Sequence, residues 1–575
     1  MLSGLTRARL LFGLSFMLIA SVVAAQNSGR YSEVTSERLA NPEPGNWLMY
    51  RRTYNGWGYS PLDQITLENV AGLEPIWTLA TGVTEGHEGA LIVNDGVMFI
   101  STPLNRVIAV EAATGDVLWI YQRQLPFDMQ LHHPTNRGVA LYGDKVYMAT
   151  SDANVIALDA DTGEVVWEKV VESYRGSYYM TLAPLAIGGK VLVGASGGEF
   201  GIRGFVTALD AETGEEAWKT YTIPGPGEFG NDTWPGDSWK TGGAPTWITG
   251  TYDPELNLTY WGTGNPGPWT GDARPGDNLY ANSVIALNAD TGKIEGYHQY
   301  HWNGSWDWDE VDSPLLIDVP RGRGTVPALV HPGRNGYLWI LERKADGIGF
   351  IDAYPFVYQD VFTSINPETG RPQYDMSRKP AIGKRATFCP SAHGGKNWPP
   401  AAYNPNTGYL YIPANDNLCS AYAGVEVEYT AGRAFTGTGE FGGELRAGAD
   451  HVGELQAWNL ATGEKVWTHE YHPVMANWGP VMTTGGGLVF SGGTADRYFR
   501  AFDAETGKVL WQQKTSSGVL GVPVSFEVNG RQYVAVQSGW GVDSVGSQRR
   551  VDEYFNQQTL VPQGGVVWVF ALAEN

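Results

Sequence analysis

The chain has 575 residues, of which 12% are aromatic and 17% charged, with 22 Trp and 74 Gly. So many Trp with so few charges exclude a disordered tail or a solvated coiled coil and call for a large packed globule. The net charge of -22 argues against nucleic acid or an anionic membrane as partner and would attract a basic protein.

Residues 1–25 are predicted to be a secretory signal peptide. Arg7 and Arg9 supply the positive start, Leu10 to Val23 is apolar, and Val23-Ala24-Ala25 is a small-residue cleavage site before Gln26. A transmembrane anchor is the alternative reading, but the run is short for a span and no later stretch is long enough. The expected location is therefore the periplasm, with residues 26–575 as a single domain, since no linker interrupts them. Cys389 and Cys419 are either a disulfide, as an oxidising compartment favours, or two buried thiols. The absence of Cys-x-x-Cys-His rules out a covalent c-type haem, so any electron acceptor is a separate molecule.

Along the chain a repeat appears: Asp/Asn-x-x-Thr-Gly, three residues, then an aromatic. It runs from Asp159 to Trp167, Asp210 to Trp218, Asn459 to Trp467 and Asp503 to Trp511, with weaker copies from Glu111 to Trp119 and Asn288 to Tyr297. A period of about 40–50 residues suits four short antiparallel strands, one propeller blade. Alternating runs such as Val146 to Thr150 predict strands. The Asp and Gly predict a tight turn, and the aromatic is expected on the following strand, packed between blades. The wide interval from Trp218 to Tyr297 predicts a long insertion within one blade, where function tends to be carried.

Five loop motifs then stand in order: Gly194 to Gly204 (with Ser196-Gly197-Gly198-Glu199), Trp261 to Trp269, Trp306-Asp307-Trp308-Asp309, Arg334-Asn335-Gly336 and Gly394 to Trp398. On this repeat background they resemble the methanol/ethanol family of quinoprotein alcohol dehydrogenases, which depend on pyrroloquinoline quinone (PQQ), over nearly the whole mature chain. The resemblance implies an all-β, eight-bladed β-propeller with tryptophan-docked blades. It implies Glu199, Asn265 and Asp307 as metal ligands, all offering oxygen to a hard cation. Asp309 resembles the signature of the lanthanide-using branch, because a trivalent ion gains from one more carboxylate. The alternatives are calcium at the same site and, for Asp309, a place in a solvated acidic run with Glu310 and Asp312.

For PQQ, a flat tricarboxylate, the resemblance makes Trp247 the stacking floor and Arg137 and Arg334 the nearby cations. Glu88, Thr181, Ser196, Gly197, Gly198, Asn397 and Trp478 match the surrounding hydrogen-bond shell, and Cys389–Cys419 matches a structural disulfide. Asp307 is the candidate general base and Arg334 the stabiliser of charge on the quinone oxygen. One departure stands out. Where many relatives carry two adjacent cysteines, this chain has Leu131-His132, followed by His133. The expected reaction is oxidation of an alcohol to an aldehyde or ketone, with electrons leaving to a soluble cytochrome c. A homodimer is a family-level expectation. The rival readings are a PQQ-dependent sugar or polyol dehydrogenase and a non-enzymatic propeller scaffold of the cell envelope.

Overall fold

Each repeat acts first as a turn. Asp159 Oδ1 accepts from the Asp161 N–H at 3.1 Å and from the Thr162 N–H and hydroxyl at 2.8 Å. Gly163 takes φ +75°, which an L side chain resists, and returns its N–H to the Asp159 carbonyl at 2.8 Å. The turns at Asp210, Asn288 and Asp503 use the same two backbone N–H bonds. In a computed structural model describing residues 31–573, these turns join the last two strands of antiparallel sheets, as Asn154–Asp159 to Val165–Val170. The expected signal peptide, 1–25, lies outside the described residues.

Four-stranded sheets occupy residues 91–122, 140–170, 185–221, 251–299 and 315–355 in sequence order. A sixth combines Ala402–Asn404, Tyr409–Asn415, Gly453–Asn459 and Glu464–Glu470. A seventh spans 481–514 and adds Tyr59–Ser60 as a parallel fifth strand. In the eighth, Leu73–Ala80 pairs antiparallel with Val566–Leu572, outside Arg531–Ser538 and Val524–Val528. The start of the described chain thus completes the sheet made by its end.

The repeat aromatics tie neighbouring sheets together. The indole N–H of Trp119 donates to Ala160 O at 3.0 Å, Trp167 to Ala211 O at 3.0 Å, Trp218 to Ala289 O at 3.1 Å and Trp467 to Ala504 O at 3.1 Å. Trp511 reaches Leu73 O and Trp77 reaches Ala112 O, both at 3.1 Å, so the closing sheet is held on both sides. A strand irregularity precedes each, as between Val165 and Trp167 or Ala501 and Phe502; such a bulge re-aims the side chain. All of these rings except Trp511 lie over the next turn's glycine: a Cβ on Gly163 would fall 2.5 Å from Trp119.

Three features differ from the sequence reading. The Trp218–Tyr297 interval holds two loops, 222–250 between sheets and 263–282 inside the next sheet. A further repeat-type turn, Asn366 to Gly370, sits on the separate hairpin Phe362–Ile365 and Pro372–Tyr374. The mainly β chain also carries a five-residue helix, Ser36–Ala40, and a 13-residue helix, Asp543–Phe555, before the strand Val566–Leu572. Cys389 and Cys419 form a disulfide beside the paired strands Arg385–Phe388 and Leu418–Ala423, so free thiols are excluded. Among the described residues no helix is long and apolar enough to cross a membrane.

Gly163 and Gly188 both have positive φ, but a Cβ on Gly188 meets nothing within 4 Å. Gly163→Ala should therefore cost about 1–3 kcal/mol more than Gly188→Ala, the overpacking penalty against Trp119. Thermal unfolding midpoints of the two variants check this; equal midpoints would remove the ring–turn contact as a stabilising element.

Candidate functional site

The segment 306–312 organises the site. Trp306 and Trp308 are fully buried and stacked with centroids 5.0 Å apart, their N–H groups donating to Arg378 O and Ser391 O at 3.0 and 2.9 Å. Asp307 and Asp309, which alternate with these tryptophans in sequence, line a cavity of about 260 Å³. Asp307 has φ +62°, a left-handed conformation that costs a non-glycine residue energy and occurs where surroundings enforce it.

The acidic run is not solvated. Glu310 is completely buried, accepting from His331 Nε2 at 2.7 Å, Asn335 Nδ2 at 2.8 Å and the Arg334 N–H at 3.2 Å. It therefore fixes the turn that presents Arg334. Asp312 pairs with buried Lys396. Asp309, 6% exposed, accepts from Trp247 Nε1 through Oδ2 at 3.1 Å and from the Asn265 N–H through Oδ1 at 2.5 Å.

Trp247 lies on the cavity wall with the Arg137 and Arg334 guanidinium carbons 4.9 and 5.6 Å from its ring centre. Arg137 is paired with Glu88 at 2.8 Å and donates to Thr181 Oγ1 at 2.6 Å, which meets Ser196 Oγ at 3.3 Å. Arg334 donates to Asp307 O at 3.0 Å and Asn397 Oδ1 at 3.2 Å, and its charge meets Asp309 Oδ2 at 3.4 Å. Gly197 has φ +118°, and a Cβ there would collide with the Ser177 carbonyl, so only glycine brings the backbone this close. Glu199, in the same turn, also faces the cavity.

Four expected residues stand behind the wall rather than on it. Glu88 acts through Arg137. Asn265 holds Asp309: with its amide turned so that both neighbours are satisfied, the nitrogen donates to Oδ1 at 2.7 Å and the oxygen accepts from Trp269 Nε1 at 2.8 Å. Gly198 packs under Pro245. Trp478 is buried, its indole nitrogen without a partner, edge-on to His393 at 5.7 Å.

Burial, reinforced by the Asp309 carboxylate, raises the pKa of both Glu199 and Asp307, the latter well above the usual range. Crowded like charges of this kind are relieved by a bound cation. An all-oxygen donor set of Glu199, Asp307 and Asp309, with Asn265 against them, fits a hard metal ion. The indole floor, two guanidinium groups and the unpartnered buried Arg137 Nε fit a flat polycarboxylate.

The cavity also contains His133, Tyr179, Trp269, His393 and Asp543, which the sequence reading did not assign to it. His393 directly precedes a motif that was recognised, whereas Asp543 carries no local signal. At the departure from the cysteine pair, His133 reaches the cavity and stacks near Tyr179 (6.2 Å, 10°), while His132 stacks on Phe200 at 3.8 Å and Leu131 is 37% exposed. The segment is irregular, so strand alternation does not apply there, and neither Leu131 nor His132 is on the wall.

The sequence matches the family described as "PQQ: Glucose/ethanol/alcohol dehydrogenase, beta-propeller domain" over residues 47–347 and 470–534. Quinoprotein alcohol dehydrogenase PedH of Pseudomonas putida is 38% identical, with 98% of this chain and 97% of that protein covered. Lanthanide-dependent methanol dehydrogenase of Methylacidiphilum fumariolicum is 39% identical over 87% of this chain and 85% of its own length. A solved europium-containing methanol dehydrogenase superposes with a TM-score of 0.87 at 35% identity, covering 93% of this chain and all (100%) of that one. A single cavity that joins an indole floor, two arginines and a crowded oxygen donor set, on a chain related at this level over almost its full length, makes this protein a member of the PQQ-dependent quinoprotein alcohol dehydrogenases.

Proposed function

We propose that this enzyme is a periplasmic alcohol dehydrogenase that works with a lanthanide(III) ion, and that its eight sheets are the blades of one propeller domain. The observation that carries the metal assignment is Asp309: buried beside Glu199 and Asp307, it adds a third carboxylate to one donor set. A trivalent ion gains more than calcium from that extra charge.

When bound, PQQ supplies the two-electron acceptor for hydride from the alcohol carbon, and the metal supplies Lewis-acid polarisation. The protein's own share is position and electrostatics. Trp247 would offer the planar floor, and Arg137 and Arg334 would supply cations to the cofactor's oxygens. Asp307 orients the hydroxyl and takes its proton. A carboxylate shared with a cation is a weaker base than a free one, so placement in a dry cavity carries much of Asp307's contribution. Electrons then leave for an external carrier, for which a basic cytochrome c suits the net charge of -22.

The deciding experiment is dye-linked alcohol oxidation by purified apo-protein given PQQ with lanthanum or with calcium. Turnover with lanthanum supports this reading; turnover with calcium alone reassigns the metal. Asp309→Ala should weaken lanthanide binding, measured by competition with a chelator, by at least about 100-fold while affecting calcium binding less. Equal losses for the two ions would end the selectivity argument. Arg334→Lys, which removes the planar fork, should lower kcat by about 100-fold or more with little change in KM. Steady-state kinetics of the loaded variant check this, and a pure KM effect would place Arg334 in substrate binding instead.

A further inference from the structure

One carboxylate in the cavity has no role in holding the metal or the quinone. Asp543 begins the helix Asp543–Phe555 and reaches the cavity wall. It is exposed, and among the described residues it has no hydrogen bond or ion pair. It does not cap its own helix, which has no side-chain cap bond. Its negative charge is nonetheless felt by Glu199, Asp307, Arg334 and His393, so it faces the reacting end as well as solvent.

Its surroundings are those of a cation site. Glu199, Asp307, Asp309 and Asp543 share a cavity whose lining arginines are Arg137 and Arg334, and Arg137 is already paired with Glu88 at 2.8 Å. The metal accounts for the first three carboxylates and leaves Asp543 over. His393 adds a buried Nδ1 that has no partner. Burial, with Arg550 and Arg334, holds this histidine down to about 4, so at neutral pH it offers a neutral ring rather than a repelling charge. Tyr179 and His133 contribute aromatic surface to the same wall, and aromatic faces attract ammonium groups. An alkyl alcohol would leave Asp543 to water, whereas an ammonium group a few bonds from the hydroxyl would meet it as an ion pair.

We infer that the cavity selects amino alcohols, with Asp543 the specificity-determining residue for the substrate's ammonium end; this rests on the alcohol dehydrogenase reading above. The oxidation itself is unchanged: the C–H hydride goes to PQQ, the hydroxyl proton to Asp307, and the ammonium group is carried through unreacted. The acidic chain also concentrates cationic substrates at the cavity mouth, and that advantage falls with ionic strength.

The test uses PQQ- and lanthanum-loaded protein with 3-amino-1-propanol and 1-butanol in direct competition. The ratio of their kcat/KM values cancels any difference in cofactor loading. It should fall about tenfold or more in Asp543→Asn and be largely retained in Asp543→Glu. Calorimetric titration of the same holoprotein with propylammonium should show saturable binding that weakens in parallel, and on wild type alone it decides the matter if Asp543→Asn does not fold. An unchanged ratio in Asp543→Asn, or no propylammonium binding by wild type, overturns the inference. Oxidation of 1-butanol with either result leaves the alcohol dehydrogenase reading standing, whereas no turnover of any alcohol removes both.

Discussion

The docking of each repeat tryptophan on the turn of the next sheet is the contact on which the rest of the molecule depends. An indole N–H meets a backbone carbonyl while the ring covers a glycine that cannot carry a side chain there. This contact is specific in direction as well as apolar, so it sets where one sheet sits against its neighbour. The two bonds that flank the closing sheet, Trp511 to Leu73 and Trp77 to Ala112, extend the same rule across the join between the two ends of the chain. Where tryptophan is absent another ring takes its place: Tyr354 lies against Gly463, and Phe350 against Gly370.

Once the sheets are placed, the site follows from where their first strands begin. Glu88 precedes Leu91–Asn94, Arg137 precedes Ala140–Tyr142, Thr181 precedes Leu185–Ile187 and Trp247 precedes Thr251–Asp253. Asn397 and Trp478 stand in the same position before Ala402–Asn404 and Val481–Thr484. Glu199 and Asn265 come from the loop after a second strand. Residues hundreds of positions apart thus meet because corresponding ends of successive sheets face one another. Rigid elements hold such a constellation more tightly than free loops do.

The centre so formed is electrostatically unfavourable in isolation. Three carboxylates, one buried and two partly buried, crowd one cavity, and Asp307 is held at positive φ between two buried tryptophans. The surrounding bonds offset this: Glu310 clamps the Arg334 turn, and Trp247 and Asn265 hold Asp309. A site built in this way is preorganised for positive charge before any ligand arrives, and preorganised electrostatics are the main means by which enzymes stabilise reacting groups.

What the sequence alone determined is whatever short-range chemistry encodes. The Asp-x-x-Thr-Gly turn and the aromatic after it are local patterns, and they were enough to read a propeller-type fold; most of the cavity wall was read through the resemblance carried by five loop motifs. The disulfide was left open by two cysteines and closed by the proximity of their strands. Tertiary structure decided what no local pattern records. It made Asp309, Glu310 and Asp312 buried and individually partnered instead of solvated, because Trp247, His331, Asn335 and Lys396 come from distant segments to meet them. It set Asn265, Glu88 and Trp478 one layer behind the wall, and it put His133 rather than His132 on it because an irregular segment has no fixed alternation. It also brought Asp543, near the end of the chain and without a motif, into the cavity. Spacing reveals which residues share a turn or a face; only the packing of whole sheets determines which turns share a cavity.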